Sequence, residues 1–314
     1  MTSRGPGFSR FAAIDIGTNS VLLLVVERRN GLLYPVVDRA VITRLGKGVD
    51  QTRRLAPDSI ASTLECLQSY ATELRALEVR AVQVVGTSAL RDASGADAFL
   101  ELAERTLGTR PQIVSGTEEA QLSFSGAVSG LKVPKSATVF DVGGGSTEII
   151  AGNAEPGAIE IRSALSVNVG AVRLHERYIR SDPPSREELL RVREDVRHQL
   201  PTVTPYCKHS VIGVGGTVTT LLAMAKQLVP YDGAQVHGAE LSLSQLDHWL
   251  LSLSGLSIDE RRKIAGLEPR RADVITVGAA IVLEVMKWLS VDAITVSDRG
   301  VRWGLVEKAA SEYV

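Results

Sequence analysis

The chain has 314 residues, a formal net charge of −1 and 44% hydrophobic residues, which suits about two globular domains and gives no general attraction to nucleic acid or an anionic membrane. Two distant cysteines, Cys66 and Cys207, exclude a disulfide framework and a zinc cluster and favour a cytoplasmic location. Asp15 interrupts the N-terminal apolar run, and no uncharged stretch reaches the roughly 20 residues that span a bilayer, so neither a signal peptide nor a membrane segment is predicted.

Strand and helix patterns alternate along the first half of the chain. The predicted strands are 11–16, 20–28, 33–43, 81–86 and the run PQIVSG, and the predicted helices are 57–77, 95–107 and one that begins at Thr117. The second half is predicted to begin near Lys135. Its predicted strands are 137–142, 146–152, 159–168 and 210–214, with helices near 170–180 and 185–199 and a mostly helical remainder.

Two glycine-rich turns share the spacing Asp-x-Gly-x-x-Ser and lie 126 residues apart, DIGTNS at 15–20 and DVGGGS at 141–146. Each lies between two strand patterns, so both are predicted at hairpin tips. Glycine brings bare N–H groups close to a ligand and the serine hydroxyl adds a donor, a combination that suits phosphate oxygens. Because Asp15 and Asp141 would repel a phosphate without a divalent cation, they indicate magnesium. An ordinary turn is the alternative interpretation.

A second pair of matching segments supports an internal duplication. VQVVGTSALR at 82–91 and VIGVGGTVTTL at 211–221 both run from an apolar strand into Gly-Thr, with Gly86 and Gly216 130 residues apart. Two pairs at similar offsets predict two similar α/β halves with a ligand cleft between them.

These motifs resemble, in order, those of the exopolyphosphatase and guanosine pentaphosphate phosphohydrolase (Ppx/GppA) family in its short two-domain form. The resemblance covers nearly the whole chain and rests on FAAIDIGTNS, VVGTSALRDA, IVSGTEEAQLSFSG, VFDVGGGSTEII, VIGVGGTVTTL and VSDRGVRWGLV. It implies an α/β fold of two actin-like (ribonuclease H-like) domains, over 1–125 and 126–300, with a helix at 301–314 that packs back on the first. It also implies a homodimer.

The resemblance implies a site for phosphoanhydride hydrolysis, in which Glu119 is the base toward a water that attacks the terminal phosphorus. The implied metal is Mg²⁺, with Mn²⁺ and an additional K⁺ left open. Asp141 and Glu148 are the candidate metal ligands, and Asp15 is an additional candidate. The candidate phosphate-binding residues are Thr18, Asn19, Ser20, Arg91, Gly143, Gly144, Gly145, Ser146, Gly215, Gly216 and Thr217.

Several of these residues also have a plain structural interpretation. Glu118 and Glu119 favour a helix N-terminus. Glu148 fits a solvent-facing strand position, and Arg91 fits a salt bridge with Asp92 or another acid. The family pattern favours the catalytic and ligand-binding roles.

Three further features leave their roles open. The run RRKIAGLEPRR at 261–271 is the densest positive segment and suits either guidance of a polyanion or solvated helix ends. Arg299 and Arg302 are additional candidates, but Trp303 stands where the family commonly has glutamate. His237 lacks metal-ligand spacing and is predicted to be structural.

The first functional hypothesis is an exopolyphosphatase, a Mg²⁺-dependent hydrolase that removes terminal orthophosphate from inorganic polyphosphate. Hydrolysis of guanosine pentaphosphate is the alternative at the same site, although the run after Ser20 lacks the basic residue that some relatives place near a guanine nucleotide. More distant alternatives are a small-molecule kinase, which the Glu-Glu-Ala signature disfavours, and a non-catalytic polyphosphate or nucleotide sensor, which Glu119 disfavours.

Overall fold

The structure, a computed structural model, describes residues 9–133, 136–155, 158–202 and 210–312. These residues divide into two compact units, one formed by the described parts of 1–122 and 301–314 and the other by those of 123–300. Lys135, near which the second half was predicted to begin, lies outside the described residues, as do Cys207 and the last two residues of the predicted 301–314 helix.

The first unit is built on a five-stranded sheet of order β3-β2-β1-β4-β5. Strands β1, β2 and β3 are antiparallel neighbours, whereas β4 and β5 continue the sheet in parallel with β1. The strands are β1 Ser9–Ile16, β2 Ser20–Arg29, β3 Leu32–Ile42, β4 Ala81–Gly86 and β5 Gln112–Ile113. The helices are α1 Val49–Thr52, α2 Pro57–Ala76, α3 Ser88–Asp92, α4 Ala96–Leu107, the first part of α5 Gly116–Val128, and α13 Val301–Ser311.

From Phe11 onward strand β1 is buried on both faces, which explains its apolar run FAAI. Ile14 and Ile16 belong to a core cluster shared with α2 and α4, whereas Phe11 and Ala13 belong to a second cluster shared with α13. Successive side chains of a strand point to opposite faces, so α13 covers the face of the sheet that α2 and α4 leave open. The C-terminal helix is therefore part of the first unit.

The second unit contains a six-stranded sheet of order β10-β11-β9-β6-β7-β8. Three antiparallel strands, β6 to β8, are followed by β9 in parallel with β6 and β11 in parallel with β9. This arrangement repeats that of the first sheet and adds the antiparallel strand β10 at the edge. The strands are β6 Ser136–Val142, β7 Thr147–Glu155, β8 Ala158–Val167, β9 Val211–Val214, β10 Glu240–Ser242 and β11 Ala293–Val296.

Helix α12 forms the centre of the helical layer of the second unit. It is buried from Ile275 to Met286, where Glu284 pairs with Arg193, and Lys287 is exposed near its end. It packs against α6, α7, α8, α10 and β6. The helices of this unit are α6 Ala171–Tyr178, α7 Arg186–Gln199, α8 Gly216–Ala225, α9 Gly233–Val236, α10 Leu243–Ser254, α11 Ile258–Arg261 and α12 Ile275–Leu289, in addition to the end of α5.

The predicted duplication and both predicted hairpins are confirmed, because β1–β2 and β6–β7 each enclose one glycine turn. Two strands, β10 and β11, lie in the region that was predicted to be mostly helical. They have three and four residues, too few to display an alternating pattern. Within the described ranges, no helix is both long and apolar enough to cross a membrane.

Candidate active site

The first glycine turn, residues 15–20, is held from behind by main-chain hydrogen bonds. The Gly17 N–H donates to the Ser20 carbonyl at 3.0 Å, and the carbonyls of Thr18 and Asn19 accept N–H bonds of 2.9–3.1 Å from the segment 43–46. In a trans peptide the carbonyl and the following N–H point to opposite sides. The N–H groups of Asn19 and Ser20 therefore face away from this supporting segment, as an anion site requires.

The second glycine turn, residues 141–146, repeats this geometry. The Gly143 N–H donates to the Ser146 carbonyl at 3.0 Å, and the start of α6 donates main-chain N–H bonds of 2.9–3.0 Å to the carbonyls of Gly143 and Gly144. The Gly145 carbonyl accepts a bond of 2.5 Å from the Nε of Arg173. By the same peptide geometry, the N–H groups of Gly144, Gly145 and Ser146 face away from α6.

Close backbone contacts explain why these turns contain glycine. A Cβ on Gly17 would lie 3.0 Å from the Ser20 carbonyl oxygen, and a Cβ on Gly143 would lie 3.1 Å from that of Ser146. A Cβ on Gly170, just before α6, would lie 2.4 Å from the Gly144 carbonyl. The turn at 141–146 therefore packs directly on the backbone that precedes α6.

The first turn contains a buried hydroxyl group. Ser20 is 9% exposed, and its Oγ has no hydrogen-bond partner among the described residues. A buried polar atom without a partner costs free energy, which a phosphate oxygen at this position would offset. Thr18 is buried to a similar degree.

Two carboxylates lie opposite each other beside the second turn. Asp141 on β6 pairs in register with Glu148 on β7, which brings the two side chains to one face of the sheet. The Ser123 hydroxyl donates to Oδ2 of Asp141, and the Ser166 hydroxyl donates to Oε1 of Glu148 at 2.7 Å. Glu148 is 1% exposed, so its interpretation as a solvent-facing strand residue is wrong.

This carboxylate pair fits a magnesium ion. No cluster of three or more His, Cys, Asp or Glu side chains suited to a metal occurs in the described parts of the chain. Mg²⁺ keeps several waters and is commonly bound by one or two carboxylates together with substrate phosphates, which Asp141 and Glu148 can supply. Like charges directly opposite each other on paired strands repel, and a cation bound by both carboxylates would offset that repulsion. Asp15 belongs to the other unit.

The third glycine turn forms the N-terminus of α8. Gly215 has φ +93° and packs on Asp141, since a Cβ at this position would lie 2.6 Å from the Asp141 Oδ1. The guanidinium of Arg271 lies against Gly216, where a Cβ would be 2.3 Å from a guanidinium nitrogen, and burial lowers the pKa of Arg271. A helix N-terminus and a guanidinium both attract anions. Thr217 is buried beside them.

The two members of the Glu-Glu pair have different partners. Glu118 is exposed and closes a capping box: its carboxylate accepts the Ser115 N–H at 2.8 Å, and its own N–H donates to the Ser115 hydroxyl at 3.2 Å. Glu119 is 8% exposed, and its carboxylate pairs with the Arg91 guanidinium at 2.5 Å. The same guanidinium also donates to the Val114 carbonyl. The capping interpretation is therefore confirmed for Glu118, while Arg91 orients Glu119.

The basic run and the C-terminal arginines have several different environments. Arg261 is buried and donates to the carbonyls of Leu253, Leu256 and Ala272, so at this residue neither interpretation of the run is correct. Arg299 donates to Ser129, and Arg302 pairs with Asp38 at 3.0 Å.

Trp303 and His237 both have structural positions. Trp303 is buried in the cluster that α13 forms with β1 and β2, which explains an aromatic residue at this position. The ring of His237 lies 3.3 Å from the Ser297 hydroxyl. Burial and the nearby charge of Arg299 lower the pKa of His237 to about 4, so the ring is neutral near pH 7.

The structure brings the predicted residues together in two groups, one in each unit. The first unit holds residues 15–20 beside Thr87, whose N–H donates to the Ile16 carbonyl, and also holds the Arg91–Glu119 pair. The second unit joins its candidates around Asp141: residues 141–146, 148 and 215–217. Sequence reasoning did not find Ser123, Arg173 or Arg271 individually, and the density of the basic run was the only signal for Arg271.

Proteins of one family resemble this chain in sequence and in structure. The sequence profile of the Ppx/GppA phosphatase family matches residues 24–312. Exopolyphosphatase 2 of Mycobacterium tuberculosis is 37% identical over 95% of this chain and 97% of its own length. A crystal structure of an exopolyphosphatase-like protein superposes with a TM-score of 0.90 at 31% identity, covering 97% of this chain and all of that one. The Aquifex aeolicus Ppx/GppA structure has a TM-score of 0.81 at 34% identity, covering 98% and 99%.

The chain belongs to the Ppx/GppA phosphatase family. The predicted α/β fold class of two similar actin-like domains is confirmed by the two sheets and by the match to structures of this family. The prediction of an enzyme of the hydrolase class is confirmed by the family.

Proposed function

We propose that this protein is an exopolyphosphatase, a Mg²⁺-dependent hydrolase that removes terminal orthophosphate from inorganic polyphosphate. The observation that carries the proposal is the repetition of one anion-binding geometry. Residues 15–20 and 141–146 both direct successive N–H groups away from a fixed support, and α8 adds a helix N-terminus beside Arg271. Each such element suits a phosphate group, and a relative of 37% identity is named as an exopolyphosphatase.

In the proposed reaction, Glu119 accepts a proton from a water molecule as the water oxygen bonds to the terminal phosphorus. The bond between that phosphorus and the bridging oxygen breaks, and the bridging oxygen keeps the electron pair. The products are orthophosphate and a chain that is one phosphate shorter. Arg91 orients the Glu119 carboxylate through its bond of 2.5 Å. Phosphoryl transfer depends mainly on such positioning and on charge neutralisation.

Asp141 and Glu148 would hold the magnesium ion, since they are opposed across β6 and β7 and each accepts a serine hydroxyl bond. When bound, the ion supplies neutralisation of phosphate charge. The glycine turns and Thr18, Asn19, Ser20, Ser146 and Thr217 would supply hydrogen-bond donors to the phosphate oxygens. Mn²⁺ is included in the proposal as a replacement for Mg²⁺, and K⁺ as an additional monovalent ion. The protein is further proposed to form a homodimer and to be located in the cytoplasm.

The proposal is tested by measuring orthophosphate release from purified protein with Mg²⁺ and either long-chain polyphosphate or guanosine pentaphosphate. Faster release from polyphosphate is expected. Faster release from the nucleotide would replace the proposal with guanosine pentaphosphate hydrolysis. No release from either, together with ATP consumption that requires an added acceptor, would indicate a kinase, and binding without any turnover would indicate a sensor.

A further inference from the structure

Arg173 lies on α6 directly behind the second glycine turn. It is 7% exposed, its Nε donates to the Gly145 carbonyl at 2.5 Å, and its main-chain N–H donates to the Gly144 carbonyl at 3.0 Å. Burial of a guanidinium is costly, and hydrogen bonds must compensate for the lost hydration. A hydrophobic residue at this position of α6 would avoid that cost, so the bond to the turn calls for a functional explanation.

The Arg173 side chain completes a row of fixed peptide units. The main chain of α6 holds the carbonyls of Gly143 and Gly144, whereas the Gly145 carbonyl is held by the Arg173 Nε. A carbonyl fixed toward α6 directs the following N–H to the opposite side. The direction of the Ser146 N–H, the third in the row, is therefore set by a side chain.

A charged donor also changes the strength of this peptide as a donor. Hydrogen bonds in a chain polarise one another, and the effect is larger where the local dielectric is low. The guanidinium withdraws electron density through the Gly145 carbonyl, which makes the Ser146 N–H a stronger donor to an anion.

We propose that Arg173 is a positioning residue for phosphate binding: it fixes the peptide between Gly145 and Ser146 so that the Ser146 N–H faces a phosphate group of the substrate. The inference rests on the proposed function, because the anion is taken to be a phosphate of polyphosphate. In this proposal Arg173 acts through the peptide and not by contact with the substrate.

Three substitutions separate the hydrogen bond from the charge. In Arg173→Gln the amide nitrogen takes the chain position of the arginine Nε, so the bond to Gly145 is kept without the charge. In Arg173→Met a methyl group takes that position, and in Arg173→Lys a methylene group takes it while the charge is kept. The matched control is Arg177→Met, one turn further along α6, where the arginine pairs with Asp195 on α7 at 3.0 Å.

Binding of tripolyphosphate with Mg²⁺ is measured by calorimetry in a Glu119→Gln background, and KM and kcat are measured in the otherwise wild-type protein. We expect Arg173→Met to raise Kd and KM about tenfold with little change in kcat, since one charge-assisted hydrogen bond to the anion site is lost. Arg173→Gln should stay within about threefold of the parent, and Arg177→Met should equal it. Thermal melting of each variant shows that it is folded at the temperature of measurement.

Equal affinity of the Met and Gln variants for tripolyphosphate would overturn the inference, because the hydrogen bond would then have no effect. Wild-type affinity of the Lys variant together with a lower affinity of the Gln variant would also overturn it, because the charge alone would then matter. Should Arg173→Met not fold, hydrogen exchange of the peptide containing residues 143–147 decides between the Gln and Lys variants: tripolyphosphate must slow exchange there more in Arg173→Gln than in Arg173→Lys, and equal slowing would overturn the inference. Arg173-dependent binding without orthophosphate release by the wild-type protein would overturn the hydrolase proposal alone. Normal release with equal Met and Gln variants would overturn this inference alone.

Discussion

The two glycine turns have the same internal hydrogen bond but different supports. In each turn the first glycine N–H donates to the serine carbonyl at 3.0 Å. Residues 15–20 are supported by the main chain of residues 43–46, whereas residues 141–146 are supported by the start of α6 and by the Arg173 side chain. The outward direction of the N–H groups is therefore the property that the two turns share, and different neighbours produce it.

The supports also differ in how rigid they are. Gly46 approaches the first turn at a side chain, because a Cβ there would lie 2.3 Å from the Thr18 Cγ2. Gly170 approaches the second turn at the backbone, with a Cβ distance of 2.4 Å to the Gly144 carbonyl. A methyl group can move by a rotation about one bond, whereas a backbone carbonyl that accepts two hydrogen bonds cannot move alone.

Substitution of the two supporting glycines by alanine tests this difference in rigidity. We expect Gly170→Ala to lower the free energy of unfolding by about 3 kcal/mol and Gly46→Ala by about 1 kcal/mol, within the range for overpacking. Urea unfolding followed by circular dichroism measures both values. Equal losses, or a larger loss at Gly46, would show that the two supports are equally rigid.

The carboxylates beside the second turn provide the next test. We expect Ser123→Ala to raise about tenfold the Mg²⁺ concentration that gives half-maximal activity, because groups that orient metal ligands commonly contribute on that scale. Ser94→Ala is the control, since that hydroxyl donates to the Arg53 carbonyl in the first unit. A Mg²⁺ dependence unchanged by Ser123→Ala would argue against Asp141 as a ligand.

A smaller and matched effect is expected at the first glycine of each turn. Gly17→Ala and Gly143→Ala place a Cβ 3.0 and 3.1 Å from a carbonyl oxygen, so a shift of a few tenths of an ångström relieves each contact. We expect each variant to lose about 1 kcal/mol of unfolding free energy. Urea unfolding that gives clearly different losses would show that the internal geometry of the turns is not equivalent.

The smallest effect concerns Glu118, which lies outside both turns. Hydrogen bonds from Ser115 lower the pKa of the Glu118 carboxyl. The ionised carboxylate therefore stabilises the folded protein at any pH above the ordinary pKa of glutamate. This stabilisation is lost as the pH falls through the lowered pKa. We expect Glu118→Gln to melt slightly below the wild type at pH 7 and the difference to shrink toward pH 3. A difference that grows on acidification would contradict the capping role.

Much of the fold follows from local sequence patterns. Apolar runs and turn residues predict both three-stranded starts, and the repeated Asp-x-Gly-x-x-Ser spacing predicts the duplication that the sheets display. Ser115 followed three residues later by Glu118 is a capping-box signal, which could have assigned Glu118 to the helix and left Glu119 for the site.

The supporting residues of the site could not be predicted in the same way. Ser123 contacts Asp141 18 residues away, and Arg173 contacts Gly145 28 residues away. These contacts depend on how strands and helices pack, and no local periodicity records them. Arg271 beside Gly216 is a longer-range case of the same kind.

Glu119 is proposed as the catalytic base, and a comparison of Glu119→Gln with Glu118→Gln tests that role. Orthophosphate release from polyphosphate is measured for both variants, together with polyphosphate binding. The role of a general base predicts that Glu119→Gln binds polyphosphate nearly as the wild type does but loses at least about 99% of its turnover, while Glu118→Gln keeps its activity. Wild-type turnover in Glu119→Gln, or a comparable loss in Glu118→Gln, would contradict it.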